Sequence, residues 1–462
     1  MNSRSRARRE AWQLALVALV VRLALVALVQ PEPVWDGRYF DALARHLARG
    51  EGYVIASEGA GDSLRPTAHY PVGFPSLLAI TYRAFGDTVG AAFLLQSVIG
   101  ASLVLLVHAI VARAASDRAA FWAALVTALH PGLVLQAPLV MAEPLAALLY
   151  AAMVLCMMQL PGSASLAAAT GLIGGFATLV RPQTIVVLPA LIAASIVTGR
   201  GRASLRGWSS GLVVIGLTFA GVVAPWTLRN ARVLDGPALV STNGGWNLAI
   251  GALPGATGRY RGLPANHGCE ALSGEVAVDR CLGSKAREAI ANDPIGFLSL
   301  VPAKLSFAVD YEAFPVEALH EAHPELVPES LRRFAWRLLM AVHQTLLVAT
   351  AFEALRRRSR AVKVASAMVA LVPMLLLGRP TSGGIAVALA IALLGEETLA
   401  LRLVGALFGT FLLTHAVFFG EDRYHVVVEA LLAAALFVMR ARVPRSSAVK
   451  CNEAGSEEPA SP

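Results

Sequence analysis

Apolar residues run along this chain in blocks of membrane length, separated by short charged clusters. The first block, "WQLALVALVVRLALVALVQPEP", is followed at once by "VWDGRYFDALARHLARGEGY". Measured against the roughly 20 apolar residues that cross a bilayer, blocks stand at 12–30, 89–112, 119–137, 142–160, 165–180, 183–199, 208–226, 333–355, 361–378, 384–396, 399–419 and 424–440. Several are short, and the pairs around Arg181-Pro182 and around Glu396 read as half-helices or tilted spans. The pattern predicts an all-α polytopic membrane protein with about twelve transmembrane helices.

Two long segments, 31–88 and 227–332, interrupt the alternation. From Gly37 to Arg49 the apolar residues Tyr39, Phe40, Leu43, Ala44 and Leu47 recur at helical spacing, and Gly50 and Gly52 supply a stop, which predicts an amphipathic helix lying on the membrane. Trp35 precedes it as an interfacial anchor. Asp36 stands where an N-cap stands, so capping is its simplest role. Basic residues cluster at Arg4 to Arg9, Arg113 and Arg118, Arg200 to Arg206, Arg356 to Lys363 and Arg440 to Lys450, and all fall on one side if the spans alternate. By the positive-inside rule that side is cytoplasmic. The expected organisation is a cytoplasmic N-terminus (1–11), a transmembrane domain (12–440) whose segments 31–88 and 227–332 face outward, and a disordered cytoplasmic tail (441–462). Gln30-Pro31-Glu32-Pro33 makes a poor peptidase site, so the first span reads as an uncleaved anchor.

Composition agrees with the patterning. Of 462 residues, 56% are hydrophobic and 15% charged, with a mean hydropathy of +0.61, a balance that water-soluble domains do not keep. The net charge of +8 comes from basic clusters between apolar runs, so it reports topology and not nucleic-acid binding. No Walker-type Gly-Lys-Ser/Thr loop and no dinucleotide glycine pattern is present, which removes the usual ATPase and nucleotide-cofactor readings. Cys269 and Cys281 share the second outward segment, where a disulfide and two unpaired thiols are both open readings. No further cysteine is near them, so a zinc site there is disfavoured and no metal-ligand set is expected.

Resemblance sharpens the functional reading. The order of a first span, then "WDGRYFDALARHLARGEGY", then "RPTAHYPVGFPSLLAITYRAFG" resembles the first outward loop of C-type (GT-C) glycosyltransferases, in particular bacterial relatives of dolichyl-phosphate-mannose protein mannosyltransferases and of the lipid A aminoarabinose transferase. "GFATLVRPQTIVVLPAL", "APWTLRNARVLDGPALVSTNGGWNLAIGALPGATGRY" and "FFGEDRYHVVVEALLAAALF" follow in the same order, and the second of these is the most specific. The resemblance implies a GT-C bundle with two large outward loops. It implies inverting transfer of a sugar, hexosyl or pentosyl, from a polyprenyl-phosphate donor to a lipid, glycan or protein acceptor on the outer face of the cytoplasmic (inner) membrane. Membrane lipids would be further partners, nucleic acid would not, and no cofactor is implied, with a divalent cation left open.

The same resemblance implies roles for single residues. Asp36 matches the acidic catalytic base of the family's first loop, while Gly37 stands where many relatives carry a second acid. A carboxylate is what this chemistry needs, because an acceptor hydroxyl must lose its proton as it attacks. Glu143 matches a recurrent acidic position and is a second carboxylate or an acceptor-positioning group, against the plain reading of a charge at a helix N-terminus. Arg423 with Tyr424, in "EDRYH", resembles a motif associated with the donor phosphate, and Arg181, placed between two apolar runs, is the alternative phosphate ligand. His69 and Tyr70 either line the site or form a structural turn. Lys304 is a substrate-binding candidate on a segment expected in the interface, at lipid headgroups. Arg229 and Asn230 are expected as anchors of the second loop, and Asn243 to Gly245 as a tight turn. Two other function classes fit a helical bundle: a transporter or flippase of a lipid-linked or anionic substrate, and a noncatalytic scaffold of the same fold. Large outward loops, short cytoplasmic ones and the lack of an inverted repeat weigh against the transporter.

Overall fold

Each of the twelve apolar blocks is helical in the computed structural model, which describes residues 3–56, 63–160, 163–198, 205–378 and 381–441. From the N-terminal basic cluster, α1 (Ser3–Leu28) leads to α2 (Asp36–Arg49), the antiparallel strands β1 (Val54–Ala56) and β2 (Leu64–Pro66), and α3 (Gly73–Phe85). α4 (Val89–Ala114) returns, and α5 (Asp117–Leu129) with the short α6 (Pro131–Val134) comes back. α7 (Glu143–Met157), α8 (Ala164–Val180), α9 (Thr184–Thr198) and α10 (Leu205–Val233) continue the alternation. The second long segment supplies α11 (Gly244–Ala252), α12 (Glu275–Asn292), α13 (Pro294–Ser299), α14 (Val301–Val309) and α15 (Phe314–Ala322). α16 (Glu329–Leu355), α17 (Arg360–Leu377), α18 (Gly383–Leu394), α19 (Leu399–Val417) and α20 (Val426–Ala441) complete the bundle, with a 3-10 turn at Asp422–His425 before the last helix.

Among the described residues, six helical stretches, α20 counted with the 3-10 turn before it, are long and apolar enough to cross a membrane, and five further apolar stretches, α13 with α14 among them, are shorter. The chain is a multi-pass membrane protein. Of the two pairs read as half-helices or tilted spans, α8 and α9 run 17 and 15 residues and α18 runs 12, whereas α19 runs 19 and is long enough to cross. Arg200 and Arg202 of the third basic cluster, and residues 442–462, which hold the expected disordered tail, lie outside the described residues.

The two ends of the bundle differ in chemistry. At one end Glu353 lies 2.5 Å from Arg356 and 3.4 Å from Arg440, and Arg358 lies 2.9 Å from Glu396, so the C-terminal ends of α16, α18 and α20 gather among the basic clusters. The starts of α2, α7 and α20 and the end of α8 meet at the opposite end, together with the two long segments. There Glu275, opening α12, accepts hydrogen bonds from Thr67 Oγ1 and the Ala68 backbone at 2.7 Å each, and from Thr242 Oγ1. Arg229 donates to the carbonyls of Thr67 and Tyr53 at 2.7 and 2.8 Å, and Asn230 to that of Ala238 at 3.1 Å, which makes both the anchors expected. Asn243 to Gly245, expected as a tight turn, instead begin α11, which packs on α12. Cys269 and Cys281 are joined as a disulfide beneath that pair.

Inside the bundle, α1 shows how a buried charge is matched locally in a medium without water. Arg22, 1% exposed in the middle of α1, donates to the carbonyls of Ala18, Ala128 and Leu133 at 3.1, 3.0 and 3.4 Å. α8 and α10 approach through small residues: a Cβ on Gly171 would lie 2.4 Å from the carbonyl oxygen of Ile215, and one on Gly175 2.8 Å from Cβ of Val222. α8 carries Arg181 at its end, so this contact helps to place a site residue. Gly171→Val should therefore wedge α8 from α10 and destabilise the protein by about 1–3 kcal/mol, read as a lowered thermal midpoint in detergent. Gly211→Ala, where nothing lies within 4 Å of the added carbon, should leave the midpoint in place.

Candidate active site

Five segments far apart in sequence converge at the end opposite the basic clusters. Asp36 is the first residue of α2, Trp35 takes the N-cap position, and the Asp36 carboxylate is hydrogen-bonded by Tyr70 and Arg423, so the capping role inferred from its position is not the one it plays. Trp35 before it has φ 49°, an unusual conformation for a non-glycine residue, and packs on Phe314 at 5.4 Å, so it anchors to the second long segment as well as presenting a half-exposed ring. Phe40, buried on the inner face of α2, packs edge-on against Tyr70 and Phe74, which docks the amphipathic helix on α3. Glu143 opens α7 with Pro144 behind it, at the positive end of the helix dipole. Arg181 follows the last turn of α8 in extended conformation, where Pro182 ends the helix.

Asp36 lies at the centre. Arg423 Nη1 donates to its Oδ2 at 2.6 Å and the Tyr70 hydroxyl to its Oδ1 at 2.8 Å. Arg423 Nε lies 2.8 Å from Glu421 Oε2 and 3.9 Å from Glu143 Oε1, and Arg181 Nη1 is 2.9 Å from that same Glu143 oxygen. The Tyr424 ring receives both guanidiniums, Arg181 at 5.1 Å and Arg423 at 5.2 Å, and stacks on His415 at 4.6 Å. Tyr39 stacks on Tyr70, and His69 packs edge-on against Tyr70 and Trp246. The structure thus brings Asp36, Glu143, Arg181, Arg423, Tyr424, Tyr70 and His69 into one contiguous group. Tyr70 is more than part of a turn, since it holds the central carboxylate.

Lys304 is placed differently from the sequence expectation. It is fully buried in α14 and not at lipid headgroups: its ammonium donates to the Val417 carbonyl at 3.1 Å and lies 3.9 Å from the centre of the Phe297 ring. The end of α19 offers carbonyls without intrahelical partners, and the lysine satisfies one of them.

The electrostatics set the protonation states. Burial disfavours an ionised Asp36, but the Arg423 charge and the hydrogen bonds from Tyr70 and Arg423 outweigh it and hold the carboxyl below its ordinary value. Burial raises Glu421 instead, reinforced by Asp36 and Asp422 against the pull of Arg423. Burial and the neighbouring Asp36 push the Tyr70 phenol up, so it stays a donor, and burial pushes the His69 imidazole down. Glu143 Oε2, Arg181 Nε and Arg423 Nε are buried without a well-formed hydrogen bond among the described residues, leaving unused capacity for both a donor and an acceptor group. A cation here would have to compete with two arginines for the three carboxylates.

Glu421, Trp246 and Phe314 were not singled out from the sequence. Glu421 had a signal, being the acid two residues before Arg423. Asp422, beside it, accepts from the backbone N–H groups of Ala313 and Phe314 at 2.6 and 2.8 Å, which tethers the start of α15 and sets Phe314 5.1 Å from the Arg423 guanidinium.

Residues 69–227 match the family profile of dolichyl-phosphate-mannose-protein mannosyltransferases. No curated protein matches the chain. Among solved structures, it is similar to the oligosaccharyltransferase AglB of Archaeoglobus fulgidus, in complex with an inhibitory peptide and a dolichol-phosphate, at 14% identity and a TM-score of 0.44 over 92% of this chain and 50% of that one. It is also similar to ArnT of Cupriavidus metallidurans bound to undecaprenyl phosphate, at 15% identity and a TM-score of 0.40 over 92% of this chain and 77% of that one. The chain thus spans about half the length of the oligosaccharyltransferase. The matched segment contributes His69, Tyr70, Glu143 and Arg181 to the site, and over it the chain is similar to dolichyl-phosphate-mannose-protein mannosyltransferases.

Proposed function

We propose that the protein transfers a hexosyl or pentosyl group from a polyprenyl-phosphate-linked donor to an acceptor hydroxyl at the outer face of the cytoplasmic membrane, with inversion and with Asp36 as general base. The observation that carries this reading is the ionised Asp36 held between Arg423 and Tyr70 in a chain whose matched family uses a dolichyl-phosphate sugar. The donor phosphate binds Arg423 and Arg181, which share the Tyr424 ring and one oxygen of Glu143, while the isoprenoid tail stays in lipid. As the acceptor oxygen bonds to the anomeric carbon, its proton passes to Asp36. The bond from that carbon to the phosphate oxygen breaks, and the phosphate leaves with the electron pair, stabilised by the guanidiniums. Tyr70 keeps Oδ1 in place, so Oδ2 is the proton acceptor once Arg423 turns to the phosphate. Losing that contact raises the proton affinity of Asp36, so donor binding itself readies the base. Glu143 orients Arg181. The outward orientation rests on the basic clusters at the opposite end of the bundle and on the disulfide in the second long segment, which belongs in an oxidising compartment.

Four measurements test the parts separately. Asp36→Asn keeps size and loses no capping bond, so it should express and fold as the parent does, while transfer from a labelled polyprenyl-phosphate sugar falls by about 10²–10⁴-fold; turnover near that of the parent removes Asp36 from the mechanism. Tyr70→Phe deletes a hydrogen bond that lowers the Asp36 carboxyl, so that carboxyl rises toward its ordinary value. The acidic limb of kcat/KM should therefore move to higher pH, with activity at neutral pH less affected. An unmoved limb shows that another group sets it.

Arg423→Ala should reduce transfer by about 10²–10³-fold, and Arg423→Lys should recover only part, because an ammonium lacks the guanidinium's fork. With Cys156 and Cys451 replaced by serine, a cysteine at the exposed Glu325 should react with an impermeant reagent added to intact cells and one at the exposed Arg360 should not. The reverse labelling pattern places the site on the cytoplasmic side.

A further inference from the structure

Two residues beyond Arg423 a second cluster begins, and the transfer chemistry makes no use of it. Glu312, between α14 and α15, His343 on α16, His425 at the end of the 3-10 turn and Glu429 on α20 are each 1% exposed, and His130, between α5 and α6, is 4% exposed. Glu429 accepts from His343 Nδ1 at 3.0 and 3.1 Å and lies 3.3 Å from His130 Nε2. Glu312 has no such support: neither of its oxygens is in a hydrogen bond among the described residues, and neither is His425 Nε2, 3.9 Å away. A buried carboxylate in that state is costly unless something positive completes it.

We propose that Glu312, His343 and His425 hold one divalent transition-metal ion, with zinc the best match to their donors. Each offers a ligand atom, and these atoms lie within 4.8 Å of one another; metal bonds of about 2.0 Å in a tetrahedral site would draw them in to a separation of roughly 3.3 Å. Two imidazoles and a carboxylate are a donor set that zinc takes readily, and they leave a fourth position. The outer contacts of such a site are also in place. His425 Nδ1 faces the Ala308 carbonyl at 3.1 Å, which leaves the lone pair on Nε2, toward Glu312. His343 donates through Nδ1 to Glu429, the carboxylate-to-histidine arrangement that commonly backs a metal ligand.

His343 Nε2 now lies 2.9 Å from the Val309 carbonyl, an acceptor, so binding the ion there releases the Nε2 proton to solvent; Gln344 donates to that same carbonyl at 2.7 Å, so the oxygen keeps a partner. The carboxylate of Glu312 rests against Gly132, where a Cβ would come within 1.5 Å of Oε1; the backbone there is cut back to admit it. Charge balances as well, since a divalent cation offsets Glu312 and Glu429 with all three imidazoles neutral. The ion would join the lead-in to α15, α16 and the start of α20, and so fix the turn that carries Arg423. Its role is to position, and it takes no part in the sugar chemistry.

The test is metal binding by the full-length chain in lipid nanodiscs, freed of metal with a chelator and titrated with Zn2+ and with Co2+. One equivalent per chain is expected, with the visible absorption of a low-coordinate cobalt site and a zinc-dependent rise in thermal midpoint. Glu312→Gln and His425→Asn should abolish the stoichiometric binding. Glu429→Gln, which keeps all three ligands, should weaken it by about 10–100-fold. Absence of stoichiometric binding to the folded parent overturns the proposal and leaves a cluster balanced by protonated histidines. Binding unchanged in both ligand variants overturns it equally. If the variants fail to fold, the parent titration and its thermal shift decide alone. No arm uses sugar transfer, so this result stands or falls apart from the assignment of activity.

Discussion

The contact between Arg423 and Asp36 joins residues 387 positions apart and fixes how both ends of the chain meet. A guanidinium so well enclosed needs carboxylates around it, and the structure gathers them from three elements: Asp36 from α2, Glu143 from α7 and Glu421 from the lead-in to the 3-10 turn. Everything that reaches this arginine is thereby held in register. Asp422, its neighbour, secures the start of α15. Gly420 donates to the Gly258 carbonyl at 2.9 Å, tying the second long segment to the same turn. Glu275 closes the ring by linking that segment to Thr67 and Ala68, a few residues before Tyr70.

The helical framework was legible because a bilayer imposes one strong requirement on sequence. Every crossing segment must be apolar and close its own backbone hydrogen bonds, so the twelve blocks and the helix at Gly37 to Arg49 show in the residue pattern alone. Single-residue geometry was less accessible. Asp36 sits where caps sit, and only the distant Arg423 and Tyr70 turn its side chain elsewhere. Lys304 looked interfacial because its neighbours are amphipathic, whereas its environment is set by Val417, 113 residues on. The pairing of Cys269 with Cys281 was open on spacing and is closed by the packing of α11 on α12. Glu312 and His343 carry no local signal at all, since nothing near either in sequence marks them as partners of His425.

The site also holds an imbalance of charge that bears on how the anionic donor proposed above would enter. Asp36, Glu143 and Glu421 face two guanidiniums, so with all groups ionised the cluster is already one negative charge in excess before a phosphate arrives. A phosphate could not settle beside three carboxylates without repulsion, and in this half-buried setting that repulsion is poorly screened. The three acids do not respond alike. Asp36 is stabilised as an anion and resists protonation, whereas burial and its acidic neighbours have already raised Glu421. Of these two, Glu421 more readily takes a proton as negative charge approaches, and on the proposed reaction it would then release Arg423 Nε to the incoming group. On the proposed reaction Glu421 would moderate the charge around the phosphate, while Asp36 would keep the lone pair that the acceptor hydroxyl needs.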